Sequence, residues 1–398
     1  MEKLHQKSNL ILEHISTEHV RGLYEQIEWK DRLIGILGAR GTGKTTLLLQ
    51  RIKLIHGFGQ EAIYVSMDDL YFMEHSLVAF AEQFRQQGGK YLFIDEIHKY
   101  PNWARELKNI YDFYQDLKIV FTGSSVIDII RQDVDLSRRA LQYELGGLSF
   151  REYLIFENVA AFPKIELSDL LKNHGDIART ILKKIKPLKH FPHYLKHGYY
   201  PFFIENLNTY HLKLEQVVRL VIENDLRFIE GFDWHNTRKV HQLLTILASN
   251  VPFKPNITKL SERIGVERNT LVHYIHYLEK ARLINNLSAT GKSISTLQKP
   301  DKILLENPNL HFLFSQENLN KGSQREAFFL NQLVNAKFEV SLPTKGDFLV
   351  NEQWLFEVGG KSKNNAQIEG IKNAYIVADE IETGVANKLP LWLFGFLY

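Results

Sequence analysis

Short, almost continuously apolar runs alternate with helix-length segments over the first ~150 residues. The runs are Leu33–Leu37, Ala62–Ser66, Tyr91–Ile94 and Lys118–Phe121. Each has the length of a strand but lacks the polar alternation of a half-exposed one. That pattern predicts strands buried on both faces of a parallel sheet. Thr45–His56 and Trp103–Asp116 fall between them as predicted helices. From about Phe150 helical patterns dominate, interrupted by Pro187, Pro192 and Pro201, and a compact helical stretch follows from Thr237 to Leu287. Alternation then returns, with strand-like Phe338–Leu342, Asp347–Val350, Trp354–Val358, Ala374–Ala378 and Leu391–Phe394. The changes of pattern predict four parts: 1–155, 156–235, 236–295 and 296–398.

Composition narrows the class only a little. The chain has 398 residues, 24% charged and 44% hydrophobic, as in an ordinary soluble multi-domain protein. The net charge of +3 is too balanced to imply a nucleic-acid partner by itself. The absence of cysteine excludes disulfides, Cys-ligated zinc and thiol catalysis, and suits a reducing, cytoplasmic setting. No apolar run reaches the ~18 residues of a membrane helix, so no membrane partner is expected. The N-terminal stretch has polar breaks and no small-residue cleavage site, so it does not read as a signal peptide.

The chemistry begins at Gly38-Ala39-Arg40-Gly41-Thr42-Gly43-Lys44-Thr45, a complete G-x-x-x-x-G-K-[ST] pattern between a predicted strand and a predicted helix. Such glycines let backbone N–H groups turn toward an anion, and the helix adds its positive end. The loop residues through Thr46 are therefore candidate nucleotide contacts. Lys44 is expected to reach the β- and γ-phosphates, and Thr45 to ligate Mg²⁺. The strand Tyr91–Ile94 runs into Asp95 and Glu96. Asp95 is a second candidate Mg²⁺ ligand, and Glu96 is the candidate base for the attacking water. Ile119–Phe121 runs into Thr122-Gly123-Ser124-Ser125, where Ser124 is a candidate contact of the γ-phosphate or the water.

These motifs, the continuation Ile94–Trp103 (IDEIHKYPNW) and the later Leu148–Tyr153 (LSFREY) resemble a bacterial and archaeal family of AAA-type ATPases. The resemblance spans nearly the whole chain. It implies an α/β P-loop fold with sheet order 5-1-4-3-2, then a helical and winged-helix region, then a small α/β domain similar to restriction endonucleases. It also implies an arginine before LSFREY. Arg138 and Arg139 stand there, and either would act in trans only in an oligomer.

Two later regions bear on partners. Ile177–Ile204 holds six Lys/Arg and no acid, interleaved with Phe191, Tyr194, Tyr199 and Tyr200, a mixture suited to phosphate contact and base stacking. Ile257–Ile264, a turn at Gly265-Val266 and Arg268–Lys280 have a helix-turn-helix layout, with Asn256 as a helix cap and Arg282–Leu287 as the start of a wing. Arg238–Lys302 carries 11 Lys/Arg against 4 Asp/Glu, so DNA is a candidate partner.

In the tail, the resemblance implies a metal-binding set of Glu326, Asp347 and Glu357 with a lysine beside the last. The spacing departs from that pattern: Lys361 follows Glu357 by four residues, ~13 Å along an extended strand. Only a bulge at Gly359-Gly360 would return Lys361, or even Lys363, to the acid. The expected activity is Mg²⁺-dependent ATP hydrolysis coupled to DNA. The alternatives are a nucleotide-dependent protein switch and an ATP-gated nuclease.

Overall fold

The computed structural model describes residues 1–125, 136, 138–228, 232, 234–249, 255–289, 300–314 and 320–398. The boundary expected near 295 lies outside them. The chain divides into two compact units, Met1–Gly147 with Asn224–Phe232, and Leu148–Glu223 with Asp233–Tyr398.

The first unit is built on strands β1 (Leu33–Gly38), β2 (Ala62–Ser66), β3 (Tyr91–Asp95), β4 (Lys118–Ser124) and β5 (Leu141–Glu144). All pairings are parallel and the order is β2-β3-β4-β1-β5, the 5-1-4-3-2 sheet that the resemblance implies. Successive side chains point to opposite faces. Leu33, Ile63, Leu92, Ile94, Ile119 and Phe121 join the helices Leu77–Gln86 and Trp103–Phe113 in one core. Ile34, Ile36, Tyr64, Phe93 and Val120 join the helix Lys44–Ile55 in another. Both faces are covered, which is why the strands read as unbroken apolar runs.

β2 is an edge strand, and its free side is covered. The helix Glu2–His14 buries Leu4, Ser8 and Leu12. The Ser8 hydroxyl accepts a hydrogen bond from the Tyr64 backbone N–H at 3.1 Å.

The second unit opens at the LSFREY segment. Ser149 and Glu152 form a reciprocal capping box that starts the helix Phe150–Phe156. Helices Leu167–Leu182, Pro187–His197, Tyr210–Glu223 and Thr237–Ser249 follow. Ile257–Ile264 is capped by the Asn256 side chain and ends at Gly265 in the left-handed region, and Arg268–Lys280 follows. β6 (Ile284–Leu287) then pairs antiparallel with β7 (Lys302–Leu305). The tail holds a helix, Lys321–Asn335, on a sheet ordered β12-β11-β10-β9-β8. Its strands are β8 (Val340–Ser341), β9 (Phe348–Val350), β10 (Trp354–Gly359), β11 (Ala374–Ala378) and β12 (Lys388–Pro390).

Two expectations are corrected here. Leu391–Phe396 is a 3₁₀ helix rather than a strand, and all six residues are buried, so the run carried no periodicity to read. Phe191, Tyr194, Tyr199 and Tyr200 are at most 2% exposed. They are core rather than a stacking surface for bases. The Tyr199 hydroxyl donates to buried Glu306 at 2.8 Å, and Asn331 donates to the same carboxylate at 2.8 Å. Residues of the basic middle, the β6–β7 region and the tail thus share one buried polar network.

Candidate nucleotide site

The loop after β1 is fixed from three sides. Gly38 sits so close to the β5 exit that an added Cβ would stand 2.3 Å from the Leu145 carbonyl oxygen. Gly43 has φ 93°, in the left-handed region that glycine adopts without strain, and directly precedes the helix beginning at Lys44. Arg21, only 5% exposed, donates to the carbonyls of Thr42 (2.7 Å), Gly146 (2.9 Å) and Gly147 (2.8 Å). It ties the loop to the end of β5.

Lys44 is buried and donates to the carbonyls of Gly38 and Ala39, both at 2.9 Å. Burial lowers its pKa, against the pull of Glu96, Asp95 and Asp225. The Thr42 hydroxyl also turns back to the Ala39 carbonyl, at 2.9 Å. Thr46 is exposed on the first helical turn.

Asp95 ends β3 with every oxygen engaged. Oδ2 accepts from the Thr45 hydroxyl and the Tyr64 hydroxyl, each at 2.9 Å, and Oδ1 accepts from the Thr122 hydroxyl. One hydroxyl and one carboxylate are hard oxygen donors. They suit Mg²⁺, which takes its other ligands from phosphates and water rather than from an all-protein cage. Among the described residues no group of three or more His, Cys, Asp or Glu is arranged to hold a metal by itself.

Glu96 follows in the left-handed region, φ 53°, with its N–H donating to Thr122 Oγ1 at 3.0 Å. That turn aims its carboxylate at two cations and a ring nitrogen. Oε2 lies 3.5 Å from Lys99 Nζ, 3.6 Å from His98 Nε2 and 3.9 Å from Arg40 Nη2. Burial alone would raise the Glu96 carboxyl, but the cations Lys44, Lys99 and Arg40 outweigh it and hold the group below its usual range. Burial depresses His98 to about 4, so the ring is neutral near pH 7. Its Nδ1 faces the Ser124 N–H at 3.3 Å, which assigns the ring proton to Nε2, toward Glu96.

The other predicted residues fall as follows. Ser124 is buried at the end of β4. Arg139 is held by Asp112 of its own chain, Nε to Oδ1 at 2.9 Å and Nη2 to Oδ2 at 3.1 Å. Arg138 is exposed. Sequence reasoning missed Arg21, Tyr64, His98 and, above all, Asp225. The Asp225 carboxylate accepts from Arg40 Nη2 at 3.2 Å and is 2% exposed.

In the second unit, Glu326, Asp347 and Glu357 are brought into electrostatic reach of one another. Burial raises the Glu326 and Glu357 carboxyls, and Asp347 adds to both. Each of the two carries a lysine: Lys302 Nζ lies 2.7 Å from Glu326 Oε2, and Lys363 is bonded to Glu357. Lys361, the lysine named in the expected set, is exposed and is not the one that returns. An added Cβ at Gly359 would stand 2.7 Å from Lys363 Cδ, so the glycine makes the room. Asp347 Oδ2 accepts the Val358 N–H at 2.8 Å.

A parallel sheet of this order, with the phosphate-type loop leaving β1 and the acid pair leaving β3, gives the first unit a P-loop NTPase fold. Residues 30–154 match a family model described as an AAA domain, and residues 188–312 match one described as a domain of unknown function. An uncharacterized protein of Methanocaldococcus jannaschii is 28% identical over an alignment of 441 positions, covering 98% of this chain and 92% of that protein. Among solved structures, AMPPCP-bound DnaA from Aquifex aeolicus aligns at 16% identity and TM-score 0.26, over 70% of this chain and 88% of that one. PCH-2 of C. elegans aligns at 19% identity and TM-score 0.23, over 39% and 44%. No helix among the described residues is long and apolar enough to cross a membrane.

Proposed function

We propose that the chain binds ATP with Mg²⁺ at the Gly38–Thr46 loop and hydrolyses it to ADP and phosphate. The observation that carries this reading is the 2.9 Å hydrogen bond between Thr45 and Asp95, which joins the loop to the acid-bearing strand beside Lys44. On binding, Lys44 exchanges two backbone carbonyls for phosphate oxygens, and the loop N–H groups and helix end meet the rest of the charge. Thr45 and Asp95 would hold Mg²⁺, which neutralises phosphate charge when bound. Glu96 accepts the proton of the water that attacks the γ-phosphorus as the bond to ADP breaks. The N–H of Ser124 orients neutral His98, whose Nε2 faces Glu96 at 3.6 Å. Turnover by the full chain, compared with Glu96→Gln and Lys44→Ala, tests this. Glu96→Gln is expected to bind ATP without hydrolysing it, and Lys44→Ala to do neither. Turnover surviving in both variants would sink the reading.

DNA is the proposed partner. Lys183, Lys184, Lys186, Lys189 and Lys196 are exposed, as are Arg268 and Asn269 at the start of the helix after Gly265. Stimulation of turnover by duplex or single-stranded DNA, fading with salt, is the expected result. Turnover indifferent to DNA would favour a nucleotide-dependent protein switch instead.

A further inference from the structure

Asp225 enters the phosphate site from a part of the chain that no motif touches. It lies 185 positions from Arg40, its partner in the loop. The segment Asn224–Phe232 belongs to the first unit, while the residues on either side of it belong to the second. Next to Asp225, Leu226 is fully buried and anchors the segment. Arg40 Nη2 is shared: it donates to Asp225 Oδ1 at 3.2 Å and lies 3.9 Å from Glu96 Oε2. The Arg40–Asp225 pair therefore stands at the end of the loop where the proposed base stands, the end that a γ-phosphate would approach.

A phosphate cradle gathers positive charge to meet a polyanion. A buried carboxylate on one of its cations works against that purpose once the anion arrives, because like charges a few ångströms apart in a desolvated site repel strongly. Without nucleotide the same carboxylate is useful, since it balances the charge of Arg40. Burial pushes the Asp225 carboxyl above its usual range and Glu96 adds to this, against the pull of Arg40 and Lys44, so the carboxylate is held under opposing pressures.

We infer that Asp225 is the resident counter-ion of the phosphate site, and that ATP displaces it from Arg40 as the terminal phosphate arrives. The inference rests on the ATP reading and deepens it. Displacement of Asp225 moves the segment at Asn224–Leu226, so that segment responds to the nucleotide. ADP, which lacks the γ-phosphate, leaves the ion pair in place. Asp225 thus lowers affinity for ATP more than for ADP.

The test uses the full chain, a non-hydrolysable ATP analogue and ADP, each with Mg²⁺. Asp225→Asn keeps the shape and an acceptor for Arg40 but removes the charge. It is expected to bind the analogue about tenfold more tightly, the order expected for removing competition by a charged hydrogen bond, and to bind ADP with less than about threefold change. In the wild type, amide exchange at Asn224–Leu226 is expected to speed up with the analogue and not with ADP, a readout that needs no variant to fold. Equal or weaker analogue binding by a folded Asp225→Asn overturns the inference, as does unchanged or slower exchange in the analogue-bound wild type. A wild type that binds no analogue would instead sink the ATP reading beneath it.

Discussion

Among the described residues, two clusters bring lysines and carboxylates together, and Lys44 in the first is placed oppositely to Lys302 and Lys363 in the second. In the candidate nucleotide site Lys44 rests on two backbone carbonyls, and Asp95 is satisfied by hydroxyls. In the tail Lys302 and Lys363 sit directly on Glu326 and Glu357. A lysine on neutral carbonyls gives up little when a phosphate arrives. A lysine on a buried carboxylate has neutralised the charge a metal would need, and leaving would strand that carboxylate. The same residue types thus describe an open site in one unit and a closed ion-pair cluster in the other.

Four measurements would break or sharpen this contrast. The largest effect is expected at the open site: Glu96→Gln should cut turnover by on the order of 10²–10⁴ with ATP binding retained. Next is the closed cluster. Lys302→Met should cost about 3–5 kcal/mol in urea unfolding, because Glu326 is left buried and unpaired, and Lys302→Met with Glu326→Gln should recover most of it. A neutral Lys302→Met would mean the ammonium does not hold the acid, and the cluster would then count as open.

A pH effect comes third. His98 is depressed from its ordinary 6.5 to about 4, so its contribution to stability is present above about 6.5 and is lost as the pH falls through about 4. The loss amounts to on the order of 3 kcal/mol, and His98→Gln should flatten that part of the profile relative to the wild type. An unchanged profile would remove the neutral imidazole from the account of Glu96. The smallest effect belongs to Arg139→Ala, which should leave both the unfolding midpoint and turnover nearly unchanged, since its guanidinium is occupied by Asp112. A fall in turnover at an unchanged midpoint would revive a role toward a neighbouring subunit.

What the sequence revealed depended on range. The loop Gly38–Thr45 and the acids Asp95 and Glu96 are local patterns, and strands buried on both faces announce themselves as apolar runs. Leu391–Phe394 reads as a strand in the sequence because a run buried on all sides looks the same as strand or helix. Arg21, His98 and Asp225 carry no pattern of their own. Arg21 acts on carbonyls, which any residue supplies, and Asp225 acts across 185 positions. The tail lysine was legible only in part: Gly359-Gly360 promised a bulge, but only the fold chose Lys363 over Lys361. Lys302 comes from β7, ahead of the helix and sheet that carry the three acids, where its neighbours in sequence give no reason to look.

The covered edge of β2 has a practical consequence for anyone isolating the part that matches the AAA domain. A fragment cut at the limits of the AAA match, 30–154, would discard the helix Glu2–His14 and Arg21 together. The bare N–H and C=O row of β2 would then be free to recruit the same strand from another molecule, and the loop would lose its tie to the end of β5. Such a fragment should precipitate, and whatever stayed in solution should bind nucleotide poorly, for reasons that say nothing about the chemistry of the intact chain.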